Sequence, residues 1–340
     1  FAAATTAILI LEKGVPHNTR REVFFARIDN DGYKLKKSVR LPREGSQLPA
    51  VLAAFNAKKS IPRLCGWSML DPNEALWHTA APNYVPADAL SHSEIEAGVR
   101  DLARARAAFV VRHAGELLTL NAAVASGEMK PLPMKDLRKP TVVETKPGTI
   151  GALFDIYAGQ RELHNKEKLV PGATLVISSS GTDNGCYGFF DFNTPLAAPF
   201  ATVPGTGSIG QAFVQEWPCG VTDHCYILVP KAGVPAELLY VACATIRQEL
   251  WRFSYGAQIT PRRIAWLPMP TDQRAVKAVR QQIDSASRIE ALALSEAADE
   301  LDSSAARARL LDIEEGRDRI VKGDALAKAQ FAKRSRFAGE

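Results

Sequence analysis

Apolar and polar positions along this chain switch between two periods, and the switches lay out its elements. Thr5 to Glu12 is a β-branched, apolar run ended by Lys13-Gly14, the pattern of a buried strand. Glu22 to Ile28 reads as a second strand. Asp29-Asn30-Asp31-Gly32 then supplies turn chemistry, and Tyr33 to Val39 returns as a third strand. Pro42 to Gly45 closes this unit, and Leu48 to Asn56 reads as a short helix. Residues 60–90, broken by Pro62, Pro72, Pro82 and Pro86, are expected to be irregular. Ser93 and Glu96 have capping-box spacing and open a pattern with Ile95, Val99, Leu102, Ala105 and Phe109 at helical intervals. That helix is expected to run to about Asn121. Residues 126–148 hold Gly127, four prolines and charges of both signs, the composition of a linker.

A second globular unit is expected to start near Gly148. Thr174 to Ile177 is a buried strand leading into the polar loop Ser178 to Gly185. Phe200 to Val203, Gln211 to Trp217 and Cys225 to Val229 read as further strands. Pro235 to Leu250 places Leu238, Leu239, Ala242, Thr245, Ile246 and Leu250 on one helical stripe, ended by Gly256 as a C′ residue. From Thr271 to about Ser303 a long helix is expected, with Val276, Val279, Ile283, Ile289 and Leu292 as its apolar stripe. It can pack on the helix that starts near Ser93 or on a second copy, and the pattern alone does not choose. Another helix is expected over Ala305 to Glu315.

Composition narrows the class. The 340 residues are 46% hydrophobic and 23% charged, as in ordinary globular proteins, and no run of apolar residues is long enough to span a bilayer. Phe1 to Leu11 has no basic n-region and no cleavage site, so it is not read as a signal peptide, and Phe1 is expected to be an internal point of a longer gene product. Five cysteines, an odd number, sit mostly in apolar stretches, which favours reduced thiols and a cytoplasmic location. The net charge is +5. Residues 20–63 hold eleven Lys/Arg against four acids, whereas residues 271–340 hold thirteen of each sign. A clustered basic surface draws polyanions, and a solvated face with no partner is the competing reading.

Gly205-x-Gly207-x-x-Gly210 matches a dinucleotide fingerprint, but Pro218 arrives before a helix can form, so a strand–turn–strand is the better reading. Cys219, His224 and Cys225 lack the second ligand pair of a structural zinc site, so no metal is expected. Asp136 with Glu144 and Lys146 only loosely resembles a nuclease metal site. His17, His78 and His164 stand isolated and are expected to be surface or satisfied histidines. Neither the Gly-rich donor loop nor the Asn/Asp/Ser-Pro-Pro-aromatic corner of adenine-N6 methyl transfer occurs, so no catalytic residue is assigned.

Three loops have the inventory for reading DNA: Ser178 to Gly185, Thr206 to Gln211 and Gln258 to Arg263. Their hydroxyls and amides suit base edges and phosphates, and Arg262 and Arg263 suit guanine or phosphate. The residues assigned to DNA are Ser180, Thr182, Asn184, Thr206, Ser208, Gln211, Tyr255, Gln258, Thr260, Arg262 and Arg263. Ordinary turns are the competing reading.

Two blocks carry a resemblance. Phe1-Ala2-Ala3-Ala4-Thr5-Thr6-Ala7-Ile8-Leu9-Ile10-Leu11-Glu12-Lys13-Gly14, with Val23 to Ile28 and Asp31-Gly32-Tyr33-Lys34-Leu35-Lys36, resembles the last strands of the catalytic domain in N6-adenine DNA methyltransferases of the type I modification-subunit family. A second block comprises Ile177-Ser178-Ser179-Ser180-Gly181, Asn184-Gly185, Gly207-Ser208-Ile209-Gly210, Val221-Thr222-Asp223-His224, Trp251-Arg252-Phe253-Ser254-Tyr255-Gly256 and Leu267-Pro268-Met269-Pro270. It is similar to target-recognition domains of type I specificity subunits and of fused methyltransferase–specificity proteins. Ala257 departs from the basic residue many of those domains carry. A shorter likeness, Arg309 to Gly316 with Gly323-Asp324, is to C-terminal segments of antitoxin-like proteins.

The resemblance implies an α+β chain: a small β-hairpin-rich N-terminal unit that ends a methyltransferase-like domain (1–90), a helical connector and linker (91–147), a mixed α/β target-recognition domain (148–270), and long C-terminal helices as spacer and tail (271–340). It implies sequence-specific recognition of double-stranded DNA within a bacterial restriction-modification system. The S-adenosylmethionine site would lie upstream of Phe1 or on a methyltransferase or restriction subunit, with a homodimer through the C-terminal helices as a further expectation. A protein-interaction factor and an autonomous nuclease are the competing functions.

Overall fold

The computed structural model describes residues 8–10, 12–16, 18, 20–36, 39–71, 81–253, 258–271 and 273–302. The expected helix over Ala305 to Glu315 and the Gly256 cap lie outside the described residues. The architecture is mixed α+β, in agreement with the sequence pattern. The chain divides into two compact units, one from residues 1–89 with 251–258 and one from residues 90–250 with 259–340.

In the first unit, β1 (Val23–Ala26), β2 (Tyr33–Lys36), β3 (Val39–Pro42), α1 (Leu48–Asn56) and β4 (Cys65–Ser68) follow one another. The turn at 29–32 forms as its chemistry demands: Asn30 Oδ1 accepts from Gly32 N at 3.0 Å, Asp31 Oδ1 accepts from Tyr33 N at 2.9 Å, and Gly32 takes φ +95. It does not make the expected hairpin. β2 pairs with β3, while β1 pairs antiparallel with β4, Val23 opposite Ser68 and Ala26 opposite Cys65. β4 was not legible because it is four residues long and contains a glycine. Gly66 is needed there, since a Cβ would stand 2.4 Å from Pro86 Cγ and 2.6 Å from Ser60 Oγ. The expected first strand is corrected as well: Ile8, Leu9 and Ile10 are exposed and outside any strand. Aromatic contacts hold this unit together, with the buried Phe25 stacked on Tyr84 at 4.7 Å and the exposed Phe55 on Trp67 at 5.4 Å.

The second unit opens with α2 (His92–Ala125), capped by Ser91 and Glu94 rather than by the equally spaced Ser93 and Glu96. Single turns α3 (Met134–Leu137) and α4 (Ile150–Leu153) lead to β5 (Phe154–Ala158). Then come β6 (Pro171–Ile177), β7 (Cys186–Phe190), β8 (Phe200–Pro204), β9 (Phe213–Gln215), β10 (Cys219–Val221) and β11 (Cys225–Pro230). The helices α5 (Leu238–Gln248), α6 (Pro261–Ala265) and α7 (Gln273–Asp302) complete the unit. The strands form a sheet ordered β5-β11-β8-β9 and a second ordered β10-β6-β7, in which β10 lies parallel to β6.

The segment at 126–148 is not a bare linker. Leu132 bridges Leu196, Met134 is buried, and Thr141 N donates to Ile156 O at 2.7 Å. α2 lays Phe109, Val110, Leu117 and Leu120 on a core that includes Leu175, Ile177, Val221 and Ile227. Its other neighbours are α5 and α7. Gly98 permits the close approach to α5, where a Cβ would meet Ala244 Cβ at 2.8 Å. α7 packs on α2 of its own chain through Ala275, Val276, Ala278, Val279 and Ala286. The expected stripe is corrected at its end: Ile289 is 56% and Leu292 60% exposed, because Ala286, Glu290 and Leu294 face inward instead.

Candidate functional site

The loop end of the two sheets gathers three polar segments. β5 leaves the sheet at Ala158 and runs into Gly159 and Gln160. Gln160 is 2% exposed and bridges Thr222; its N donates to Val221 O at 2.6 Å, and its Oε1 accepts from Val221 N at 3.0 Å. Thr222 N in turn donates to Ile177 O at 2.9 Å, which fixes the end of β6 beside the link between β10 and β11. These bonds satisfy the backbone where two sheets meet, so the loops beyond them start from fixed points.

The loop at 178–185 and the loop at 205–211 are joined directly. Ser208 N donates to Ser179 O at 3.1 Å. Glycines make the approach feasible: a Cβ on Gly181 would meet Ser208 Oγ at 2.9 Å, and one on Gly207, at φ +63, would meet Ser179 Oγ at 2.8 Å. The glycine string at 205–210 thus turns the chain between the antiparallel strands β8 and β9, with no helix behind it. Ser180 Oγ bonds Thr182, whose N donates back to it at 3.2 Å. The joined loops leave the side chains of Thr182 and Thr206 exposed, with Ser180 and Ser208 half-buried beside them.

Asp183 ties this surface to α2. Its carboxylate accepts from Arg112 at 3.0 Å and pairs with His113 Nε2 at 2.8 Å. His113 leaves helical geometry to make that contact, at φ −119 and ψ 23, while Asp183 and Asn184 both sit at φ +53. Backbone strain of this kind persists only where neighbouring contacts enforce it.

The other assigned residues divide. Asn184 is turned inward, 2% exposed, with its amide spent on Val214 O and Gln215 Oε1; it braces the loop and offers nothing to a ligand, a correction to its assignment. Gln211 Oε1 accepts from Arg247 Nε at 2.9 Å, and both line a cleft with Glu94, Gly98 and Asp101 between α2 and α5. Burial lowers the Arg247 pKa. Thr260 caps α6, accepting from Arg263 N at 3.3 Å, and Arg262 stacks over Trp266 at 4.2 Å, with Lys146 over the same ring at 5.6 Å. These residues sit at the far end of β5. Ile150 N donates to Leu267 O, and a Cβ on Gly151 would meet Ala265 Cβ at 2.7 Å, so α6 lies beside α4, just before Phe154. Five residues of strand, about 13 Å, separate that end from the loops. Gln258 is an exposed residue of the first unit, and Tyr255 lies outside the described residues.

Histidine reasoning from sequence missed the rest. His164, expected to be isolated, pairs with Asp223 at 2.8 Å, and its ring lies 4.7 Å from that of His224. The paired His164 and Asp223 are 59 positions apart in sequence and are brought together beside the Gln160–Thr222 bridge, so no local string could reveal them. His17 and His78 lie outside the described residues. Cys219 and Cys225 are buried thiols; burial raises Cys219 well above its usual value and pushes Cys225 up to about 12. No disulfide joins any of the five cysteines. Trp266 Nε1 donates to Glu144 O at 3.0 Å, so Glu144 and Lys146 frame an indole, and Asp136 lies on α3. Among the described residues no helix is long and apolar enough to cross a membrane.

No protein-family model matches the sequence, and no curated protein matches it. Two of the solved structures similar to it are restriction-modification subunits. The HsdS subunit from Thermoanaerobacter tengcongensis aligns at 17% identity and TM-score 0.29 over 63% of this chain, which spans 57% of that chain. The S subunit of the type-I restriction-modification system from M. genitalium aligns at 12% identity and TM-score 0.32, over 86% of this chain and 96% of that one.

Proposed function

We propose that the unit of residues 90–250 and 259–302 binds duplex DNA at its loop end, as the recognition module of a restriction-modification system. The observation that carries this reading is the Ser208–Ser179 backbone bond, which merges two Ser/Thr/Gly-rich loops into one hydroxyl-bearing surface. Ser180, Thr182, Thr206 and Ser208 are short donors and acceptors suited to base edges, and glycines let backbone amides approach phosphates. Arg112 and the exposed Arg161 flank that surface with positive charge. Arg262, Arg263 and Thr260, at the far end of β5, are assigned to phosphate rather than base contact.

The resemblance of residues 1–36 to the end of an adenine-N6 methyltransferase domain supports a partner or upstream segment that carries S-adenosylmethionine and the methyl-transfer site. That assignment also places the protein in the bacterial cytoplasm. Binding of a random-duplex library to the full chain, followed by sequencing of the bound fraction, tests the reading. Enrichment of one sequence, with affinity falling steeply between about 50 and 200 mM salt, is the expected result. Binding without any enrichment, or no binding at the lower salt, overturns it.

A further inference from the structure

We propose that His164, Asp223 and His224 form a binding site for a divalent transition-metal ion of the zinc class. One ligand atom from each side chain lies within 4.8 Å of the other two. His164 Nδ1 and Asp223 Oδ1 stand 2.8 Å apart. Zinc bonds to imidazole nitrogen and carboxylate oxygen are about 2.0–2.2 Å long, so two ligands of its tetrahedral shell stand about 3.4 Å apart, and an ion opens this hydrogen-bonded pair by about half an ångström. The outer limit of 4.8 Å closes by small side-chain rotations, because His164 is 56% exposed and its ring lies 4.7 Å from that of His224.

His224 carries the second observation. Its Nδ1 lies 3.2 Å from Thr206 Oγ1, and its carbonyl accepts from Gly205 N at 2.8 Å. In the tautomer that donates Nδ1–H to the Thr206 hydroxyl, the imidazole presents its Nε2 lone pair, the arrangement by which proteins orient metal-ligating histidines. The backbone behind the three ligands is fixed without metal: Gly159 N donates to Cys225 O at 3.0 Å, and Cys225 N to Thr222 O at 3.1 Å. Two imidazoles and one carboxylate suit zinc, cobalt or nickel and disfavour magnesium and calcium, which want oxygen alone. Three protein ligands leave a position for water. The ion would tie the segments at 159–164, 205–211 and 222–224 into one rigid end.

A second group, His113, Asp183 and Cys186, has comparable spacing, but Arg112 already lies 3.0 Å from Asp183, a cation set against a second cation. It serves as the control. The site is independent of the DNA reading, since it is tested with no DNA present. Calorimetric titration of the full chain with zinc chloride is expected to show one equivalent bound, and with magnesium chloride none. His164→Ala and His224→Ala each abolish that equivalent, Thr206→Val weakens it by about 10–100-fold, and Cys186→Ser retains it. In the unsubstituted protein, zinc shifts the ring nitrogens of His164 and His224 in NMR, a readout that needs no variant to fold. Absence of zinc uptake, uptake unaltered by both histidine substitutions, or uptake lost with Cys186→Ser overturns the proposal.

Discussion

The guanidinium of Arg106 on α2 grips the carboxylate of Glu290 on α7 through two bonds, Nε to Oε1 at 2.8 Å and Nη2 to Oε2 at 2.9 Å. Its Nη1 reaches both Glu216 oxygens and Tyr240 Oη at 2.7 Å, and Tyr240 donates to Glu216 at 2.7 Å. Burial and the Glu216 carboxylate hold Tyr240 well above the usual phenol range, so it stays a donor. Arg106 and Glu290 are both buried, which makes the pair costly to break from one side: an uncompensated charge is left in a dry interface. Arg106→Met is expected to lower stability by about 3–5 kcal/mol in urea unfolding, with α7 losing its hydrogen-exchange protection first. A loss under about 1 kcal/mol would mean that apolar packing alone holds α7 on α2.

That network was invisible in the sequence because its members come from α2, the turn after β9, α5 and α7. The helices α1, α2, α5 and α7 were legible, since each keeps one period over nine or more residues. β7 and β10 were not, being short and glycine-bearing, and β10 takes its register from distant partners, parallel to β6 and bridged to Leu196. The capping box was misplaced by two residues because Ser91-His92-Ser93-Glu94-Ile95-Glu96 contains the spacing twice, and only the geometry at Ser91 decides. At the site, loop composition pointed to Ser180, Thr182, Thr206 and Ser208. It could not show that Asn184 faces inward or that α6 lies at the other end of β5.

Alkaline pH should destabilise the protein through its thiols. Burial pushes Cys225 and Cys243 up to about 12, whereas an unfolded thiol ionises near about 8.5. A raised folded pKa means that this stability is complete below about pH 8 and is lost as pH climbs toward 12. Each such thiol contributes a slope of about 1.4 kcal/mol per pH unit in that window. Urea midpoints are expected to be flat from pH 7 to 8 and to fall by pH 9.5, with Cys243→Ala reducing the slope. Iodoacetamide should modify the half-buried Cys186 before Cys219, Cys225 or Cys243. Equal rates at all four would contradict the buried placement.

Separation of the two polar groups along β5 gives opposite signatures in DNA binding. Thr182→Ala with Thr206→Ala is expected to cost about 1–3 kcal/mol per base contact on the selected sequence and little on random duplex. Arg262→Ala is expected to weaken both DNAs alike and to reduce the slope of log affinity against log salt by about 0.9 for the phosphate lost. Competition titrations at several salt concentrations measure both. If the threonine pair affects both sequences alike, the loops position rather than read.

Two glycines should respond to alanine with opposite signs. At Gly159 a Cβ would lie 2.0 Å from Thr222 O and 2.7 Å from its carbonyl carbon. Those are backbone atoms, and Thr222 O already accepts from Cys225 N at 3.1 Å, so they cannot yield without breaking the turn at 222–225. Gly159→Ala is expected to destabilise by about 1–3 kcal/mol or more and to weaken DNA and zinc binding together. Gly115 lies inside α2 with nothing within 4 Å of the same position. There alanine removes the entropy cost of a helical glycine, and Gly115→Ala is expected to stabilise by about 0.5–1 kcal/mol with both ligands unaffected. Thermal unfolding of the two variants checks this, because a helix propensity effect and a steric collision at the loop end predict melting shifts in opposite directions.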